Sequence, residues 1–159
     1  MNSEYKLMAI DESSKKTGCA LFVNGELVDH CVIDISKNKD SNSRLHQMCT
    51  LVLEQMNKWK PDGVYIEHPQ GDGRNVLTVW MLSQIIGVAR AYSIISACDF
   101  NEITPSEWRS YLKFKQGRKK REELKQMSMS YVKEHYGIEV GDDEADAICI
   151  GSAVINKYS

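Results

Sequence analysis

Four carboxylates stand where apolar runs end or begin, and they limit what this chain can fold into. Asp11 closes Leu7-Met8-Ala9-Ile10, and Glu67 closes Val64-Tyr65-Ile66. Asp143 and Asp146 open a segment that continues Ala147-Ile148-Cys149-Ile150. A charge at the end of a buried segment is costly unless something pairs with it or binds it. Four acids drawn from three separate segments point to a site for hard divalent cations, which take oxygen ligands. Such a site implies metal-assisted chemistry on phosphate.

Each acid also has an ordinary reading. On a helix, Asp143 and Asp146 share one face and lie in the first turn, where the dipole favours anions. Capping by Asp142 or Asp143 would account for them without a metal. Asp11 alone is a turn residue, and Glu67 alone is an exposed strand end. Their joint occurrence favours a shared site, because the α/β order can bring the first and fourth strands together.

That order is read from periodicity and punctuation. Residues 5–11, 18–23 and 26–35 are expected as strands, the last two joined by Asn24-Gly25, a strong two-residue hairpin signal. In the third, Leu27, Cys31, Ile33 and Ile35 alternate with polar neighbours. A polar loop over 37–42 offers Ser41 or Ser43 as cap for a helix in which Leu45, Met48, Cys49, Val52, Leu53 and Met56 recur to Trp59. Pro61 stops that helix, and residues 64–67 form a short buried strand.

A loop with Pro69, Gly71 and Gly73 leads to a long apolar helix over 76–97. Leu77, Val79, Met81, Leu82, Ile85 and Ile86 exceed what a one-sided surface helix needs. This surplus either fills the core or forms a two-fold interface. A fifth strand follows over 98–104, then a short helix over 105–112 with Thr104 as cap and Pro105 in its first position. Helices over 121–135 and 143–157 complete one α/β domain spanning 1–159, with a mixed sheet.

Composition excludes little. The apolar fraction of 42% and charged fraction of 26% are ordinary for a globular protein. No apolar stretch is expected to span a bilayer, and the first residues have no signal-peptide shape. Five scattered cysteines without a CxxC spacing fit reduced thiols in a cytoplasmic protein. The net charge of −2 conceals an asymmetry. Lys113, Lys115, Arg118, Lys119, Lys120 and Arg121 fall within nine residues that hold no acid. A solvated surface is the plain reading of this run; its place between helices, with Phe114 and Gly117 in it, favours a phosphate-contacting loop.

Several motifs together resemble the RuvC-like Holliday-junction resolvases of the ribonuclease H-like superfamily. They are Ala9-Ile10-Asp11-Glu12-Ser13 with Thr17-Gly18, then Tyr65-Ile66-Glu67, and Asp143-Glu144-Ala145-Asp146-Ala147. Ile103-Thr104-Pro105-Ser106 with Trp108-Arg109 is similar to a segment of the phage-type members. The resemblance spans nearly the whole chain. It implies a ribonuclease H-like fold with a five-stranded mixed sheet flanked by helices. It also implies an endonuclease acting on four-way DNA junctions as a homodimer.

The resemblance makes Asp11, Glu67, Asp143 and Asp146 the ligands of magnesium, with manganese as a substitute. Two ions are implied, with Asp11 bridging them. Lys115, Arg118, Lys119 and Lys120 are then expected on backbone phosphates. The chain departs from the family in two loops. The loop 68–74 lacks the aromatic wedge of many bacterial members, and Glu12-Ser13 stands where a small residue and glycine are usual. Glu12 is expected as a solvated turn residue or a peripheral participant.

Asp142 and Glu144 flank the motif as candidate extra ligands, although helical geometry turns them off the shared face. His68 is either a proton donor or phosphate contact beside Glu67, or an inert loop residue. His30, His46 and His135 have no evident catalytic partner. Trp59, Trp80 and Trp108 are expected in the core or an interface. The alternatives are a related nuclease acting on flaps, other branched DNA or RNA, an actin-like-fold phosphotransferase, and a nuclease-fold protein that binds without cutting.

Overall fold

The computed structural model describes residues 3–69 and 75–159. Strands β1 (Lys6–Asp11), β2 (Lys16–Val23), β3 (Glu26–Asp34), β4 (Gly63–Glu67) and β5 (Asp99–Ile103) form one sheet in the order β3-β2-β1-β4-β5. The helices are α1 (Ser41–Trp59), α2 (Val76–Ser96), α3 (Pro105–Tyr111), α4 (Arg121–Tyr136) and α5 (Asp142–Tyr158). β1, β2 and β3 pair antiparallel, whereas β4 and β5 extend the sheet in parallel with β1. Asn24 and Gly25 make the hairpin turn with φ of 51° and 88°. Two positive φ values in succession are what a right-twisting two-residue hairpin requires.

The two faces of the sheet carry different helices. Along β1, Met8 and Ile10 face α1 and α2, and Leu7 and Ala9 face α5. On β4, Val64 and Ile66 take the first side and Tyr65 the second. Strand side chains alternate faces, so Asp11 and Glu67 must emerge on the α5 side. α5 lies close over β1 and β2 because it is built from small residues where it crosses them. A Cβ on Gly151 would come within 2.1 Å of the Phe22 ring.

Element positions follow the sequence reading, with local corrections. Asp40, rather than Ser41 or Ser43, caps α1, accepting a hydrogen bond from the Ser43 backbone N–H at 2.7 Å. The Ser43 hydroxyl is occupied instead by the Asn38 side-chain amide. α5 begins at Asp142 behind Gly141, so neither Asp142 nor Asp143 is its cap. Thr104 and Glu107 form the reciprocal capping box that starts α3, with Pro105 in the first turn.

One expectation fails. α2 is long and apolar enough, by length and composition, to cross a membrane. Its apolar residues serve two directions at once. Met81, Leu82, Ile85, Ile86 and Ala89 are buried in the core with α1, and Val76, Leu77, Trp80, Ile94 and Ile95 point outward.

Candidate active site

Asp11 and Glu67 follow the last registered β1–β4 pair, Ile10 and Ile66. They therefore end adjacent parallel strands on the same face. The first turn of α5 is brought over these strand ends by Gly18, which lies opposite Asp11 in the β1–β2 register. A Cβ at Gly18 would lie 2.0 Å from the Asp143 carbonyl oxygen. Only a residue without a side chain lets the helix start this close to the sheet. Asp142, Asp143 and Glu144 occupy that first turn, where unpaired backbone N–H groups favour negative charge.

The electrostatics place the four acids in one field. Burial, then the charges of Glu67, Asp146, Glu12 and Asp143 in turn, push the Asp11 carboxyl well above the usual carboxylate range. Burial pushes Asp146 up to about 7. The Ser128 hydroxyl and the Arg109 guanidinium relieve it, while Glu67 and Asp142 oppose them. Both the Ser128 hydroxyl and Asp146 Oδ1 are buried without a hydrogen-bond partner. Asp143 is raised by burial and by Asp142, against the partial relief of Lys16 and Lys125.

The flanking acids are engaged elsewhere. Lys125 Nζ lies 2.9 Å from Asp142, and despite burial this contact holds the Asp142 carboxyl below its ordinary value. Glu144 pairs with His30 on β3, so His30 does have a partner beside the site. The sequence could not place it there, because the two lie 114 residues apart. His68 turns to Glu102, which also receives Arg90. Glu12 is buried, not a solvated turn residue, and its charge bears on Asp11.

Trp108, expected in the core or an interface, is fully buried and also reaches the site. Its indole N–H donates to Glu67 Oε2 at 2.8 Å. Trp59 is buried as well, and its indole reaches Asp29, whereas Trp80 stands on the outward face of α2. Lys115, Arg118, Lys119 and Lys120 are all exposed in the connection between α3 and α4. Gln70, Gly71, Asp72, Gly73 and Arg74, the part of the wedge-less loop beyond Pro69, lie outside the described residues.

The donor set fits a hard cation. All four donors are carboxylates, and Asp146 Oδ1 is a buried oxygen without a hydrogen bond. Among the described residues, no three His, Cys, Asp or Glu side chains stand close enough to share one ion as placed.

This sheet order, three antiparallel strands extended by two parallel ones and flanked by helices, is that of the ribonuclease H-like fold. The chain belongs to the family described as crossover junction endodeoxyribonuclease RuvC, whose sequence model matches residues 7–154. Members of that family are endodeoxyribonucleases that depend on divalent metal.

Among solved structures, the chain is similar to Thermus thermophilus RuvC in complex with a Holliday junction substrate. Identity is 16%, over 96% of this chain and 94% of that one, with a TM-score of 0.73. It is also similar to the fowlpox virus Holliday junction resolvase, at 16% identity over 96% and 99% with a TM-score of 0.66. The yeast mitochondrial resolvase Ydc2 gives 16%, 96% and 78%, with a TM-score of 0.60. At these identities the likeness establishes the fold. No curated protein matches the chain by sequence.

Proposed function

We propose that this protein cleaves phosphodiester bonds in four-way DNA junctions. The observation that carries the reading is the convergence of Asp11, Glu67, Asp143 and Asp146 on one sheet face in a RuvC-family chain. These four side chains would hold magnesium, or manganese in its place, and two ions per site suit the number of acids. Bound metal supplies an activated water and charge stabilisation at the leaving oxygen. Burial raises the Asp146 carboxyl, so a proton it holds must leave before it can serve as a ligand.

The other parts of the chain have distinct tasks. Lys115, Arg118, Lys119 and Lys120 contact backbone phosphates, which fix the position of DNA without reading sequence. The outward face of α2, with Leu77 53% exposed and Trp80 55% exposed, supports a two-fold contact between copies. Two copies would present two acid clusters to opposed strands of one junction. Five scattered cysteines without a CxxC spacing support a cytoplasmic reading, in a bacterial or phage-infected cell.

The test is a panel of labelled four-way junction, duplex, flap and RNA–DNA hybrid, each with and without magnesium. Magnesium-dependent cleavage confined to the junction supports the reading. Preferential cutting of the flap or the hybrid overturns it.

A further inference from the structure

The indole–carboxylate contact between Trp108 and Glu67 carries an inference that rests on the nuclease reading and goes beyond it. A buried indole N–H needs an acceptor, and any nearby backbone carbonyl would serve. Here the acceptor is the carboxylate that ends β4, at 2.8 Å. A neutral donor to a charged acceptor makes a stronger and more directional bond than a neutral pair.

Trp108 is itself held from both sides. Its helix is started by the Thr104–Glu107 capping box and packs against α5. The Arg109 guanidinium lies 4.8 Å from the centre of its ring. Phe114, inside the basic segment, meets the indole edge-on with centroids 6.1 Å apart, and Tyr131 of α4 meets Phe114 at 5.7 Å.

The basic segment is thus not a free loop beside the site. It folds back on α3, with Phe114 N–H donating to the Arg109 carbonyl and the Gln116 amide donating to the Ser106 carbonyl. Its exposed cations lie on the outside, and its one aromatic side chain runs inward to the indole that holds Glu67. We propose that Trp108 is the positioning residue of Glu67, and that Phe114 joins its placement to the phosphate-contacting segment. Phosphates settling on Lys115 and Arg118 would hold Phe114, and through it the indole and the carboxylate. A supporting residue one step behind a metal ligand is typically worth about 10–100-fold in metal affinity or activity.

The test uses Trp108→Phe, which keeps an aromatic ring in the pocket and removes the N–H. Manganese binding is measured by calorimetry, beside cleavage of a four-way junction and junction binding in calcium. We expect roughly 10–100-fold weaker manganese binding and a comparable fall in kcat, with junction affinity kept. Phe114→Leu should lower kcat on junction while leaving manganese affinity without DNA near that of the wild type.

A second arm keeps the native indole. With Trp59 and Trp80 replaced by phenylalanine, Trp108 fluorescence should respond to manganese at the calorimetric midpoint, and Glu67→Gln should abolish the response. Wild-type metal affinity and turnover in Trp108→Phe overturn the inference alone, as does a fluorescence response that survives Glu67→Gln. Should Trp108→Phe not fold, the Phe114→Leu variant decides, and wild-type kcat on the junction in that variant overturns the inference. A wild type that neither binds manganese nor cleaves overturns the nuclease reading and this inference together.

Discussion

Gly18 and Asp143 meet with no room for a side chain between them: a Cβ on the glycine would sit 2.0 Å from the Asp143 carbonyl oxygen. This contact sets how far the first turn of α5 reaches over the ends of β1 and β4. It links a residue opposite Asp11 to the backbone of another member of the acid cluster.

Gly18→Ala should therefore move the helix start and not merely loosen the fold. Overpacking of this kind costs about 1–3 kcal/mol. The displaced Asp143 and Asp146 should cost cleavage at least about 100-fold, the scale on which a misplacement of 1 Å acts. Thermal melting and junction turnover on the same preparation separate the two effects. A variant that melts lower yet keeps near-normal turnover would show that the approach matters to stability alone.

The raised carboxyl groups make the acid cluster a source of instability without metal. Asp146 is raised from 3.8 to about 7, so its favourable contribution is complete below pH 3.8 and is lost as pH rises through 7. Asp11 shifts in the same direction. Asp146→Asn should accordingly stabilise the metal-free protein at pH 8, on the order of 1–3 kcal/mol, with the gain vanishing toward pH 4. Denaturant melts at the two pH values measure this difference. Conversely, magnesium or manganese should raise the melting temperature of the wild type more at pH 8 than at pH 5.5, because binding must displace protons.

Much of the fold was legible because period and punctuation agreed along the chain. Unbroken apolar runs announce β1 and β4 with the acids that end them, and Thr104-Pro105 announces the start of α3. What stayed hidden depends on contacts between distant segments. The Trp108–Glu67 bond spans 41 residues, and His30–Glu144 spans 114.

Glu12 reads as a turn residue because local polarity cannot reveal that it is buried beside Asp11. Gly18 was visible only as part of a Thr-Gly pair, since the helix it admits lies far along the sequence. On α2 the periodicity was ambiguous for a physical reason, as one apolar helix fills the core with one side and leaves the other exposed.

Phosphate contacts should make binding salt-dependent through release of condensed counterions. Replacing Lys119 and Lys120 together with glutamine should reduce the slope of log K against log salt by about 1–2 and weaken binding to all sequences alike. Fluorescence anisotropy across a salt series gives the slope. An unchanged slope would place the DNA elsewhere on the surface.

Leu77 is 53% exposed on the outward face of α2. Leu77→Glu should yield folded monomers, because an exposed face tolerates a charge that a packed core does not. Sedimentation should show the change in mass, and a cruciform plasmid should give single nicks where the wild type gives linear product. A wild type that sediments as a monomer and gives only unpaired nicks would instead favour a nuclease directed at flaps or RNA.

The most direct measurement compares wild type with Asp11→Asn on a labelled four-way junction in magnesium, with binding followed in parallel. The substitution keeps the shape of the side chain and removes the charge at the centre of the cluster. The wild type should cleave only when magnesium is present, and the variant should show no detectable cleavage at undiminished or tighter junction binding. Near-normal cleavage by Asp11→Asn would contradict the assignment of the acid cluster as the active site.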